Sequence, residues 1–377
     1  MSTIPAPDPA PGPTPGRAPA PVRYGIVGAG LMGQEPLRNL LALEGAVVTA
    51  LADPHERSRT DALGWLPPGT EVATFTDHHA LVAADLCDAV VIATPNHTHH
   101  DVLLDLLPTD LHLLVEKPLC TTVADCRRVL DAAEGREAVV WVGLEYRYMP
   151  PIARLTREVR AGVVGRVRMV HLREHRFPFL PKVGDWNRFS RNTGGTLVEK
   201  CCHFFDLMAH IVGERPERVV ASGAQDVNHL DERYDGEVPD ILDNAYVIVE
   251  FPGGARGLLD LCMFAEGSVH QEEVVVVGDV GKVEAFLPDS TLRTGRRADG
   301  RDGVTTETVH DPRVRHEGFH HGSSYLEHLD FLAAVRGGAR PTVGLDDGLW
   351  SVAAGVAAHR SIDEGRPVPL AEVLGED

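Results

Sequence analysis

The stretch Arg23-Tyr24-Gly25-Ile26-Val27-Gly28-Ala29-Gly30-Leu31-Met32-Gly33 runs from a short apolar strand-like segment into a glycine-spaced turn, and a helical pattern follows. Glycine spacing alone is a weak signal. In this context the glycines permit a tight turn, close approach of a pyrophosphate and close packing of a helix whose N-terminus favours anions. A second strand-like run ends at Asp53, twenty residues after Gly33, where a carboxylate would accept the ribose hydroxyls of an adenosine. Together these features predict a dinucleotide-binding fold. The acid favours NAD, because a carboxylate repels the extra phosphate of NADP; Arg57 and Ser58 stand close enough in sequence to accommodate that phosphate, so NADP is not excluded. Pro36 falls about one turn into the helix and predicts a local kink there.

Outward from this stretch, β-branched runs alternate with amphipathic ones. Strands are expected at Arg23–Val27, Ala46–Ala52, Asp88–Ala93, His112–Val115 and Ala138–Val142, with helices such as Thr98–Leu107 and Val123–Glu134 between them. That alternation predicts a parallel sheet covered on both faces, over residues 22–143. Beyond Gly143 a helix at Pro151–Ala161 leads to longer runs: Arg166–Arg176, Arg218–Gly223, Asn244–Phe251, Arg256–Phe264, Glu272–Val277 and Lys282–Phe286. Gly-rich turns join several of them, as in hairpins. One strong helix, Thr196–Val212, interrupts the series. Residues 144–377 thus read as an α+β domain with an open, mostly antiparallel sheet, whose last helix is able to pack back on the first domain.

The whole chain has 377 residues, consistent with two domains. Hydrophobic residues make up 43% and charged residues 24%, a globular balance, and no window approaches the roughly 18 apolar residues of a membrane span. A net charge of −19 opposes nucleic acid and anionic membranes. Residues 1–21 carry eight prolines and no apolar stretch able to act as a signal, which reads as a disordered extension. Six cysteines without repeated spacing read as reduced core residues of a cytoplasmic protein. A zinc role for Cys201-Cys202-His203 is disfavoured because successive helical residues diverge by about 100°.

Only four lysines occur, at 117, 182, 200 and 282, among 36 basic residues. Lys117 stands in Glu116-Lys117-Pro118, at the carboxyl end of the fifth strand, where ligands sit in open α/β sheets. It is a candidate for holding a substrate hydroxyl. Thr94-Pro95-Asn96-His97 ends the fourth strand in the same way, either lining the cofactor or serving as a polar turn with a helix cap.

These residues resemble the Gfo/Idh/MocA family, the glucose-fructose oxidoreductase, inositol dehydrogenase and rhizopine-catabolism proteins. The resemblance covers nearly everything after the tail. It rests on Gly28 to Gly33, Asp53, Thr94 to His97, Glu116-Lys117-Pro118, Glu145-Tyr146-Arg147-Tyr148, Gly194 to Asp206, and Tyr325 to Pro367. It implies a Rossmann domain followed by a sheet domain whose open face commonly forms homodimer or homotetramer contacts. It also implies NAD(P)-dependent oxidation or reduction of a secondary alcohol on a sugar, inositol or related polyol. Where the family has an Asp followed four residues later by a His, this chain has Glu199 and His203, and Glu145 replaces an amide often seen at its position.

Residues four apart on a helix share a face, so Glu199 is expected to orient the His203 ring while His203 takes the hydroxyl proton and Lys117 stabilises the oxygen. On spacing alone, a solvated surface pair is the competing reading. Lys200, pointing about 100° away, is left between cofactor, substrate and a solvent-exposed acid, and Asp206 between substrate contact, a supporting role and helix solvation. Glu145, Tyr146, Arg147, Trp186, Asn187 and Arg188 are substrate-pocket candidates or loop anchors. His310, His316, His320, His321 and His328 read as a solvated loop leading to a helix from Ser323, and no metal is expected. Two alternatives share every motif: a redox-assisted glycosidase or lyase with no net NAD turnover, and a non-catalytic sugar sensor. Retention of both Lys117 and His203 argues against the sensor.

Overall fold

The computed structural model describes residues 19–337 and 341–375, so the proline-rich tail lies outside the described residues up to position 18. The first sheet is built from β1 (Val22–Val27), β2 (Ala46–Ala52), β3 (Ala73–Phe75), β4 (Ala89–Ile92), β5 (His112–Glu116) and β6 (Val140–Gly143), in the order β3-β2-β1-β4-β5-β6. All its pairings are parallel. Helices α1 (Leu31–Ala42), α2 (Glu56–Leu63), α3 (His78–Ala83), α4 (His99–Leu106) and α5 (Val123–Ala132) connect the strands. The continuous apolar runs of β4 and β5 fit burial on both faces; Val90, Val91, Ile92, Leu113 and Val115 are all fully buried. The α1 helix continues through Pro36 to Ala42.

After α6 (Pro150–Arg160) come β7 (Val167–His175), the short helices α7 (Ser190–Thr193) and α8 (Thr196–Glu199), and α9 (Cys202–Val212). There follow β8 (Arg218–Ala224), β9 (Asn244–Glu250), β10 (Arg256–Cys262), β11 (Glu272–Gly278), β12 (Gly281–Leu287), β13 (Thr291–Arg296) and β14 (Thr305–Thr308). Helices α10 (Ser323–Val335) and α11 (Leu345–Glu364), strand β15 (Val368–Pro369) and helix α12 (Leu370–Leu374) follow in turn. The second sheet has the order β14-β13-β12-β11-β7-β10-β9-β8-β15. Only β7 and β10 run parallel; the other pairings among the described residues are antiparallel. Its strands alternate buried and open positions, as β11 does along its length, so one face packs on helices and the other stands open.

The helix expected over Thr196–Val212 is broken. The Cys201 amide donates to Thr196 O at 3.4 Å, five residues back, and the Phe204 amide to Cys201 O, three back. A wide turn followed by a tight one rotates the segment after Lys200 away from ideal helical phase. Helix α11 lies between the layers. Gly348 faces Leu119, where a Cβ would come within 2.9 Å, and Gly355 faces the Leu197 carbonyl, where a Cβ would come within 2.5 Å. His359 Nε2 accepts the Leu197 amide at 3.1 Å.

Candidate active site

A cavity opens at the carboxyl ends of β1, β2, β4 and β5. Gly28 takes φ of 92°, and a Cβ there would stand 2.5 Å from Ala93 O; a Cβ on Gly33 would stand 1.8 Å from Gly28 O. These two glycines let α1 start directly against the strand ends. A Cβ on Gly30 would meet nothing within 4 Å among the described residues, so the turn is open to a ligand there. Asp53 accepts from the Ala29 amide through Oδ2 and from the His55 amide through Oδ1, both at 2.8 Å, which fixes its carboxylate beside the turn.

Gly28, Gly30, Leu31, Met32, Asp53, Thr94, Pro95, Asn96, Glu116, Lys117 and Trp186 all line this cavity. Gly33 and His97 do not; Gly33 packs behind the turn and the His97 ring meets Trp186 edge-on at 6.1 Å. Ser58 lines it, whereas Arg57 is 92% exposed and pairs with Asp61, so the expected phosphate partner for NADP stands aside. The Asn96 side-chain amide is buried with no partner for Nδ2 among the described residues, an orphan donor at the wall. Open glycine turn, fixed acid and orphan amide fit a dinucleotide. His99 was not anticipated: Nδ1 lies 2.8 Å from Pro118 O and Nε2 3.0 Å from Thr94 O, joining the ends of two strands.

Lys117 Nζ donates to the Glu199 carbonyl at 3.1 Å. His203 is buried, stacks on Tyr146 with centroids 4.0 Å apart and planes 8° off parallel, and has no hydrogen-bond partner on either nitrogen among the described residues. Burial first, then Lys117 and Lys200, push its pKa well down, so the ring is neutral and able to accept a proton. The expected Glu199–His203 pair is not formed. Glu199 Oε1 instead faces Lys182 Nζ at 3.7 Å while Oε2 has no hydrogen-bond partner among the described residues, because the irregular turn at Lys200 and Cys201 separates the two side chains. Lys182 belongs to a segment, with Pro181, Val183 and Trp186, that lines the cavity, and its ammonium stands 4.7 Å over the Trp186 ring. This lysine had no functional expectation attached to it.

Lys200 reaches neither solvent nor the cavity. It donates to the Tyr146 hydroxyl at 2.6 Å and pairs with Glu174 Oε1 at 2.9 Å, beneath the Tyr146–His203 stack. Arg147 and Asp206, expected at the substrate, bind each other: Arg147 Nε donates to Asp206 Oδ2 at 2.6 Å, with further contacts to Thr342 O at 2.9 Å and Asp347 at 3.2 Å. Arg188 is likewise buried against Glu232 and Phe179 O, and Asn187 donates to Leu180 O; both are loop anchors.

The His-rich loop is not uniformly solvated. His310 is exposed, but His328 is buried in α10, and His320 Nδ1 stands 2.9 Å from Glu145 Oε1. Ser324 donates to the other Glu145 oxygen. Burial would raise the Glu145 carboxyl, but His320 and Ser324 overcome it and hold the pKa at about 2. Burial, with Glu145 next in importance, pushes the neighbouring Glu116 up to about 7. Folding therefore keeps Glu116 protonated against solvent, and stability is expected to fall as pH rises from the ordinary value of 4.5 to about 7. Glu145 contributes its own dependence only below 4.5. Glu116→Gln should flatten the 4.5–7 window when melting temperatures of the two proteins are compared across pH; an unchanged slope contradicts the assignment.

Residues 22–144 match the Gfo/Idh/MocA oxidoreductase profile for an NAD-binding Rossmann fold, and residues 157–370 match the profile for the C-terminal alpha/beta domain. The chain is 28% identical to the myo-inositol 2-dehydrogenase of Thermotoga maritima, over 94% of this chain and 100% of that protein. It is also 28% identical to the inositol 2-dehydrogenase of Rhizobium meliloti, over 93% and 99% respectively. Among solved structures, an oxidoreductase domain protein from Kribbella flavida superposes with a TM-score of 0.81 at 22% identity, covering 93% of this chain and 99% of its own, and shares the fold.

Proposed function

Since this chain belongs to the Gfo/Idh/MocA oxidoreductase family, it is an NAD-dependent enzyme of CH–OH groups, and we propose that His203 and Lys117 carry its chemistry. The substrate is a secondary alcohol of an inositol, sugar or related polyol, as the inositol dehydrogenases among its relatives support. Bound NAD supplies the hydride acceptor. His203, neutral and without a hydrogen-bond partner among the described residues, takes the hydroxyl proton; Lys117 at the cavity wall holds the alcohol oxygen and stabilises its developing charge. Lys200 keeps the Tyr146 ring, and with it the stacked imidazole, in place. Glu199 acts on the lysines, through its carbonyl on Lys117 and its carboxylate on Lys182.

The observation that carries this reading is the buried His203, stacked on Tyr146 with neither ring nitrogen partnered among the described residues, close enough to feel the charge of Lys117, which itself lines the dinucleotide cavity. The test is a panel of inositols, aldoses and glycosides with NAD and with NADP, followed by nicotinamide absorbance and product identification. NADH accumulating with one polyol supports it. Substrate consumption without NADH means redox-assisted elimination instead.

The open face of the second sheet supports a homo-oligomer. Met169 on β7, Leu258 on β10, and Tyr246 and Ile248 on β9 share that face and are 59, 36, 62 and 44% exposed. Such a patch fits a second copy of the chain. Light scattering should give a dimer or tetramer, and Tyr246→Asp should shift it toward monomer. A wild-type monomer at micromolar concentration excludes this assembly. The six cysteines are free, in keeping with a reducing cytoplasmic compartment.

A further inference from the structure

The carboxylate–imidazole pair expected at Glu199 and His203 is built elsewhere in the same site, between Glu145 and His320. Three separate elements hold it. Glu145 follows β6, Ser324 in the first turn of α10 fixes its second oxygen, and Glu35 on the cofactor helix α1 grips the loop that carries the histidine. The Phe319 amide donates to Glu35 Oε1 at 3.2 Å, and His316 Nε2 lies 4.0 Å from Oε2. Gly318 makes this contact possible. It takes φ of 55°, and a Cβ there would stand 1.7 Å from Glu35 Oε1.

Glu35 is 3% exposed, an expensive place for a carboxylate unless its contacts matter. Its effect is to dock the 316–320 loop onto the helix that begins at the glycine turn. The loop in turn sets His320 against the aromatic wall already occupied by the proton acceptor: the Tyr146 ring is 4.0 Å from His203 and 5.8 Å from His320, centroid to centroid. His320 Nδ1 stands 2.9 Å from Glu145 Oε1, a close contact without regular hydrogen-bond geometry that sets the ring against this carboxylate, and Nε2 on its far side has no hydrogen-bond partner among the described residues.

We propose that His320 is a specificity-determining residue that hydrogen-bonds a hydroxyl of the polyol through Nε2, and that Glu145 and Glu35 are the positioning residues that aim it. This rests on the polyol-dehydrogenase reading above and extends it to a hydroxyl beyond the reacting one. Nε2 accepts from a substrate O–H while the ring is neutral and donates to the oxygen when it is protonated. A site that hydrogen-bonds a hydroxyl discriminates strongly against an analogue without it, since the protein group is left unpaired.

His320→Ala should lower kcat/KM for the best polyol by about 10- to 100-fold, chiefly through KM, with the NAD KM and NADH fluorescence titration unchanged. His320→Gln, which keeps a polar atom in reach, should recover part of the loss. Gly318→Ala, with His320 intact, should raise the polyol KM by displacing the loop from Glu35. Calorimetric titration of polyols into the NADH complex reads the same contact without turnover. An unchanged polyol KM and affinity in His320→Ala overturns the proposal, and so does an equal loss of NAD affinity, which would mark a general structural defect. Wild-type enzyme that binds polyols through His320 but yields no NADH would sink the dehydrogenase reading alone.

Discussion

His203→Ala is expected to lose about 10² to 10⁴ in kcat, the usual cost of removing a general base, while NAD affinity stays near that of wild type. The separation follows from where the ring sits. It touches Tyr146, has no partner on either nitrogen among the described residues, and is not part of the wall of the dinucleotide cavity. Its removal therefore takes away a proton acceptor without opening the cofactor site. The pH dependence gives a second reading. The base-competent form is the neutral imidazole, and burial, Lys117 and Lys200 all stabilise that form. The acid limb that His203 contributes to kcat/KM should accordingly lie below pH 6.5, the ordinary histidine value. Stopped-flow absorbance with saturating NAD measures the first expectation and a pH series the second. Turnover within a few-fold of wild type in His203→Ala would assign the proton to another group.

Arg147→Ala is expected to destabilise the fold by about 3–5 kcal/mol, the cost of stripping one partner from a buried ion pair. Arg147 ties three parts of the chain: the turn after β6 that bears it, Asp206 on α9, and Asp347 in the first turn of α11. Asp206 is buried, and burial already raises its pKa against the pull of Arg147. Without the guanidinium, Asp206 would lose its ion-pair partner among the described residues, since Arg215 pairs with Asp346 and Asp347 and reaches Asp206 only as a more distant charge. Urea unfolding of the variant measures the loss. A change under about 1 kcal/mol would mean that water or Arg215 replaces the contact, and would return Arg147 to consideration as a substrate ligand.

The first sheet was legible because its strands announce themselves locally. Runs such as Val90-Val91-Ile92 and Leu113-Leu114-Val115 are apolar throughout, and the glycine turn and Asp53 fall at strand ends where chemistry is expected. Strand β3 escaped notice because it has three residues, one of them exposed, and β14 because all four of its residues are exposed; neither offers a hydrophobic pattern. The residues that line the cavity at these strand ends were legible for the same local reason. The relation of Glu199 to His203 was misread because spacing assumes an ideal helix, and the irregular turn between them depends on packing that no spacing rule contains. Lys200 and Arg147 were placed near the site but not with their partners, since Glu174 and Asp206 are matched to them only by the fold. His320 was the largest omission: Ser324, which shares Glu145 with it, is 179 positions from that carboxylate, and a histidine-rich loop by itself carries no sign of what it faces.

Helix α11 gives the molecule a property that neither sheet has alone. Its Gly348 abuts Leu119, two residues beyond Lys117, and its Gly355 abuts Leu197, two residues before Glu199, while His359 caps the Leu197 amide. A single rod of 20 residues thus gauges the distance between Lys117 and the segment that leads to His203. The two halves share this rod as an axle, so they should melt in one cooperative transition.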